Sequence, residues 1–244
     1  AVTATSLAAT PASAGYMDGM NLRRDTFELG LGLGFGHRDV SGYDGLGVNL
    51  ELGYGLTSAV ELRLRSGLRF ADAGRIVQAD RYGRPVDTET YNTGYDTLAN
   101  PEIGLLFNLV RGGTAEIGID ARLTLPIDGD PGLLLGLPIN LRLGSAARLD
   151  TGVYLPIVFY DPDTRIDLSV PLRLYFRLGG GSFLGPILGI YKPEGGGTIV
   201  PFGIGGGASI AYDAEVRFWL MFDDIANDGG AKNFGLGIGL YVDF

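Results

Sequence analysis

Residues 61–69 read Glu-Leu-Arg-Leu-Arg-Ser-Gly-Leu-Arg, with charge at nearly every second position. An extended chain would put Glu61, Arg63, Arg65 and Arg69 on one side, a row that can brace itself by ion pairing or select a passing ion. The same spacing gathers Glu116, Asp120 and Arg122, and then Asp167, Ser169, Arg173, Tyr175 and Arg177. Glu51, Glu102, Asn140, Arg142, Asp150, Glu215 and Arg217 share that parity in their own segments. Covalent catalysis has weaker support. His37 is the single histidine, Ser41 follows four residues on, and no orienting Asn is evident. A general base needs a nucleophile in reach and a group to hold it, so no enzyme is expected. Asp128, Asp130, Asp161, Asp163, Asp223, Asp224 and Asp228 fall beside Gly and Pro. None completes a calcium loop, so they read as turn formers, and no metal or cofactor is expected.

The elements that carry these residues have a period of two. In residues 27–36 the large side chains Phe27, Leu29, Leu31, Leu33 and Phe35 alternate with Glu28, Gly30, Gly32, Gly34 and Gly36. A helix would scatter the glycines round its cylinder and be weakened by them. A strand collects them on one face. Comparable runs follow at residues 46–56, 60–70, 103–109, 117–125, 133–143, 149–159, 166–178, 184–190, 200–212, 216–222 and 234–244. Twelve strands of about ten residues match the length that crosses a bilayer at a tilt.

The connectors have their own rhythm. Short links (Thr57-Ser58, the stretches 111–114, 144–147 and 179–182, and Tyr212-Asp213-Ala214) alternate with more polar, mostly longer ones. The longest spans 71–100 and is rich in tyrosine and polar residues, with three roles open to it: folding over the mouth, entering the lumen or binding a partner. Both ends of the strand series fall on the tight-turn side, as an even-stranded closed barrel requires. The composition agrees: 244 residues, 41 glycines, no cysteine and 45% hydrophobic residues, yet no apolar run near the roughly 20 residues of a spanning helix. The net charge of −9 argues against nucleic acid as a partner. Ala12-Ser13-Ala14 closes a small, uncharged N-terminal stretch in the manner of an export cleavage site. Residues 1–14 are therefore expected to be a signal-peptide remnant or flexible leader, and 15–244 a single barrel domain.

With these features the chain resembles a bacterial outer-membrane β-barrel. Its last strand, ending on Phe244, is similar to the C-terminal signature of that class, which implies recognition of Phe244 by the barrel assembly machinery. The resemblance implies an all-β, closed, antiparallel up-and-down transmembrane barrel, integral to the outer membrane and in contact with its lipid and lipopolysaccharide. It names no subfamily. Outer-membrane phospholipase A also has twelve strands, but the spacing of His37 and Ser41 does not match its catalytic pair.

In such a barrel the large apolar residues face lipid, and the charged and glycine parity faces the lumen. Outward aromatics, including Phe27, Phe35, Tyr54, Phe159, Tyr212, Phe234 and Phe244, fall near strand ends, as interfacial girdles do. The expected lumen lining is Glu51, Glu61, Arg63, Arg65, Arg69, Glu102, Asp120, Arg122, Arg142, Asp150, Arg173, Arg177, Arg217 and Trp219. The hairpins set Glu51 against Arg63 or Arg65, Glu102 against Arg122, and Arg142 against Asp150. The wall of strands 10, 12, 1 and 2 is nearly all glycine, which leaves room for a solute or admits a bulky neighbour. Trp219 reads as cover for the strand-10 glycines. Pro138, Pro156, Pro171, Pro186 and Pro201 are expected to bring bulges or bends. Two readings stand for the charges: pairs that fill a closed lumen, or an arginine track through a water-filled pore. The function expected is passive passage of small hydrophilic solutes, among which an open arginine track would favour anions. The alternative is a non-conducting structural or surface-interaction barrel.

Overall fold

The computed structural model describes residues 16–38, 43–70, 78–79, 85–86, 98–127, 130–159, 163–222, 224–226 and 232–244. Twelve staves form the wall: β1 (Phe27–Arg38), β2 (Tyr43–Gly55), β3 (Val60–Phe70), β4 (Leu98–Arg111), β5 (Ala115–Thr124) and β6 (Gly132–Leu143), then β7 (Ala147–Phe159), β8 (Leu168–Gly179), β9 (Ser182–Lys192), β10 (Phe202–Ser209), β11 (Ala214–Phe222) and β12 (Phe234–Asp243). Thr164–Ile166 pairs with β7 and is the outer end of the β8 stave, interrupted at Asp167. Each stave pairs antiparallel with its chain neighbours, and β1 pairs with β12, so the sheet closes. Closure matters because lipid offers no partner for an unpaired backbone group.

The period-two pattern sets which face meets lipid. Leu31 and Leu33 on β1 are 47% and 52% exposed, whereas Glu61 is fully buried and Arg122 is 2% exposed. This reverses the distribution of a water-soluble sandwich: apolar outside, charged inside. Aromatics band both rims. Phe35, Phe222 and Phe234 pack together at the long-loop end, with centroids 6.2 and 6.4 Å apart, and Phe27 meets Phe244 at 6.4 Å at the tight-turn end. Phe244 also exchanges two backbone hydrogen bonds with Phe27, tying the last residue into the seam.

Three local differences from the sequence pattern have identifiable causes. The link after β6 closes over Gly144–Ala146, with Gly144 at φ +65° and Leu143 opposite Ala147. Arg142 therefore faces Arg148, and Asn140 faces Asp150, two residues away from the expected Arg142–Asp150 pairing. In the β4–β5 hairpin Arg111 pairs with Glu116 at the turn, and with the one-residue shift at Asn108/Val110 Glu102 falls opposite Thr124 and Gly104 opposite Arg122, not Glu102 opposite Arg122 as expected. Pro138 and Pro171 each interrupt one ladder without a bulge, and Pro156 stays paired with Leu134. The β5–β6 and β7–β8 ladders skip positions around Pro138 and Pro171, while Pro186 keeps its place opposite Ile204. The register shifts fall instead at Arg65/Gly67, Asn108/Val110 and Arg177/Gly179.

Candidate functional site in the barrel lumen

Residues 16–26, which carry no strand pattern, cross the lumen at the tight-turn end, the periplasmic end in barrels of this type. A short 3-10 turn, Tyr16–Asp18, begins this strap. Tyr16, Met17, Met20 and Leu22 are all buried. Carboxylates of the wall hold its backbone. The Tyr16 N–H donates to Glu215 on β11 (3.0 Å), Met20 N–H to Glu116 on β5 (2.7 Å) and Leu22 N–H to Glu61 on β3 (2.7 Å). Arginines take the carbonyls: Arg148 donates to the Tyr16 oxygen, and Arg177 to that of Met17 (2.9 Å). These are charge-assisted bonds out of bulk water, stronger than neutral ones. The strap then turns at Asp25, in the left-handed region at φ +59°, which Asp tolerates, and Asp25 N–H donates to the Gly55 carbonyl before β1 begins.

Tyr16 occupies the most elaborate part of this arrangement. Its ring stacks on Phe183 (5.2 Å, 15° between planes) and meets Tyr175 edge-on (5.4 Å). The guanidinium groups of Arg148 and Arg217 lie 4.6 and 5.1 Å from its centroid, within cation–π range. Its hydroxyl donates to Asp150 at 2.6 Å. Burial holds the phenol well above its ordinary range, and the Asp150 charge adds to the effect, so the donor proton is retained.

Above the strap the wall charges form connected networks. Arg63 contacts Glu51, Glu61 and, at 3.6 Å, Glu28. Arg65 lies directly opposite Glu51 and contacts it at 3.3 Å, with Glu102 at 3.5 Å. Glu102 reaches Arg122 at 3.5 Å across the shifted register, and Asp120 chelates Arg122 at 2.9 and 3.1 Å. On the far side Arg217 contacts Glu215 and, at 3.9 Å, Glu28. Glu28 thus links two networks across a wall that is mostly glycine. Asp150 pairs with Arg148 at 2.6 Å and stands opposite Arg173, while Arg142 pairs with Glu116 at 3.3 Å. The side chain of Arg69 lies outside the described residues, as do Ser41 and most of segment 71–100.

The glycine wall does not stay bare. Trp219 lies over Gly237 of β12, not over the β10 glycines as the sequence suggests, because its ring leans across the β11–β12 pair. Tyr241 covers Gly30 and Gly239, Phe183 covers Gly207, and Leu22 of the strap covers Gly53. A Cβ at any of these would crowd the neighbour. Phe183, Ile187, Trp219 and Met221 continue this surface into one apolar cluster with Tyr16 and Met17. Arg173 and Glu215 are 2% exposed each, so side chains of the wall and the strap fill the lumen around them.

Sequence reasoning missed the strap and, with it, Tyr16, Arg148 and the bridging role of Glu28. One signal was available. Glu61, Glu116 and Glu215 all fall beside tight turns at one rim, a ring of acceptors that calls for donors from outside the sheet.

Similarity to known proteins is confined to structure. The chain matches no protein-family model and no curated protein. It is similar to the NanC porin (TM-score 0.62, 6% identity, covering 87% of this chain and 98% of that one). It is likewise similar to an outer-membrane channel from Pseudomonas putida F1 (TM-score 0.67, 14% identity, 93% and 98%). A third similar structure is the KdgM porin in complex with disordered oligogalacturonate (TM-score 0.60, 7% identity, 90% and 99%). At these identities the likeness is one of fold: a closed twelve-stranded antiparallel barrel of the outer-membrane type.

Proposed function

We propose that the protein is a passive, non-catalytic outer-membrane channel for small hydrophilic solutes, with a preference for anions, closed in the present conformation by the strap at residues 16–26. The observation that carries this reading is the way the lumen is closed. From Tyr16 to Leu22 the strap is an irregular segment held by side chains of the wall, and its backbone joins the sheet at the Asp25–Thr26 end, so the first part can leave while the barrel stays intact. Its departure would bare Arg148, Arg177 and Arg217 at the periplasmic end. Arg63, Arg65, Arg122 and Arg173, with Glu51, Glu61, Glu102, Asp120, Asp150 and Arg142, would line the path above, and Trp219 the apolar side. The fold likeness to porins supports passage, and a porin solved with an oligogalacturonate supports an anionic solute. The acidic loops would meet lipopolysaccharide through divalent cations, and Phe244 would be read by the assembly machinery.

Liposome swelling tests the proposal. Vesicles carrying the refolded protein should admit a small uronic acid faster than the neutral sugar of the same size, and faster still when Tyr16 is replaced by Ala. Equal, background-level swelling with a folded barrel would overturn it.

A further inference from the structure

We infer that the pocket around the Tyr16 ring is a recognition site for a tyrosyl group, and that Tyr16 is its tethered, displaceable occupant. Bulk alone would seal the barrel, as Leu22 does against Gly53. Here every group of the residue is read. Phe183 stacks on the ring, Tyr175 meets it edge-on, Asp150 accepts from the hydroxyl, Glu215 accepts from the N–H, and Arg148 donates to the carbonyl. All these partners belong to β7, β8, β9 and β11, on rigid staves. They are also organised without the strap: Arg148 pairs with Asp150, Arg217 with Glu215, and Tyr175 meets Phe183 edge-on at 5.3 Å. A site whose own pairs hold it in shape persists when its occupant leaves.

The chemistry defines the ligand class: a hydroxyphenyl group whose other end bears an amine or amide N–H and a carbonyl, as in tyrosine amide or the end of a tyrosyl peptide. A free ammonium would meet the Glu215 carboxylate more strongly than the amide does. Binding of such a solute from the lumen would compete with the strap and favour the withdrawn state. That consequence rests on the channel reading, whereas the binding itself does not.

The test uses the full chain with Tyr16→Gly, refolded, and L-tyrosinamide as the probe. Trp219 is the one tryptophan and packs in the same cluster as the Tyr16 ring, so its emission reports occupancy. The backbone of residue 16 still meets Glu215 and Arg148 in this variant, so the probe enters first through its ring and hydroxyl: tyrosinamide should give a saturable change in Tyr16→Gly and a much weaker response in the parent protein, whose tethered ring competes at high effective concentration. L-Phenylalaninamide, which lacks the hydroxyl, should bind about tenfold less tightly or worse, the loss expected of one hydrogen bond to a charged group. Adding Asp150→Asn should bring the two amides closer in affinity. Should Tyr16→Gly fail to refold, Tyr16→Ser empties the same pocket. No saturable response in a folded barrel, or equal affinity for the two amides, would overturn the inference. Binding in an electrically silent barrel would leave the site standing and sink the channel reading. Conductance without binding would do the reverse.

Discussion

The hydroxyl of Tyr16 donates to Asp150 at 2.6 Å, a contact between residues 134 positions apart that ties the strap to the wall. Tyr16→Phe keeps the ring in its stack but leaves a buried carboxylate oxygen without its donor. Such a loss costs about 1–3 kcal/mol. The cost falls on the closed arrangement, so the variant should spend more time open while its barrel melts within a few degrees of the parent. Proteolytic accessibility of residues 16–26, with melting followed in parallel, checks both halves.

Arg63 is surrounded by Glu28, Glu51 and Glu61. Removing one partner of a buried ion pair leaves an uncompensated charge, at about 3–5 kcal/mol. Glu51 also serves Arg65, so Glu51→Leu takes one carboxylate from each arginine, leaving Arg63 to Glu28 and Glu61 and Arg65 to Glu102, and should destabilise. Glu51→Leu with Arg63→Leu should recover part of the loss. Denaturant unfolding of the two singles and the double measures this, and strict additivity would contradict the network.

Gly237 accommodates the indole of Trp219. Gly237→Ala drives a methyl group into that ring, an overpacking cost of about 1–3 kcal/mol. Combined with Trp219→Ala the cost should vanish, since the space is then free. The same pair of variants separates cover over glycine from mere proximity.

The seam between β1 and β12 carries reciprocal backbone bonds at Phe27 and Phe244, plus a ring contact at 6.4 Å. Deleting Phe244 should lower the amount of protein reaching the outer membrane in cells several-fold while refolding into detergent remains efficient. Equal loss in both settings would assign Phe244 to seam stability alone. Intact-mass measurement of exported protein should give a chain beginning at Gly15, one residue before the docked tyrosine.

The barrel was legible because lipid imposes one rule on every stave. Leu29, Leu31 and Leu33 must alternate with something that is not lipid-facing, and that period survives whatever the lumen does. The inside follows no such rule. Glu51 could be set against Arg63 or Arg65 from the short link at Thr57-Ser58, and the structure places Arg65 opposite it. Arg142 and Asp150 could not be placed that way, because the left-handed Gly144 shortens the next link and moves the register by two. Tyr16 was beyond reach for a different reason. The strap has no period, and its anchors Glu61, Glu116, Asp150 and Glu215 lie on four different staves that only closure brings together. The glycine wall was ambiguous for the same cause: whether Gly237 leaves a gap depends on how Trp219 leans, which sequence parity does not specify.

Single-channel conductance of the refolded protein in a planar bilayer under a salt gradient tests the central claim most directly. The parent should show infrequent openings with a reversal potential favouring anions. Tyr16→Ala should lengthen those openings, and Arg65→Ala should shift the reversal potential toward zero. A folded barrel that stays silent both as the parent and as Tyr16→Ala would contradict the account.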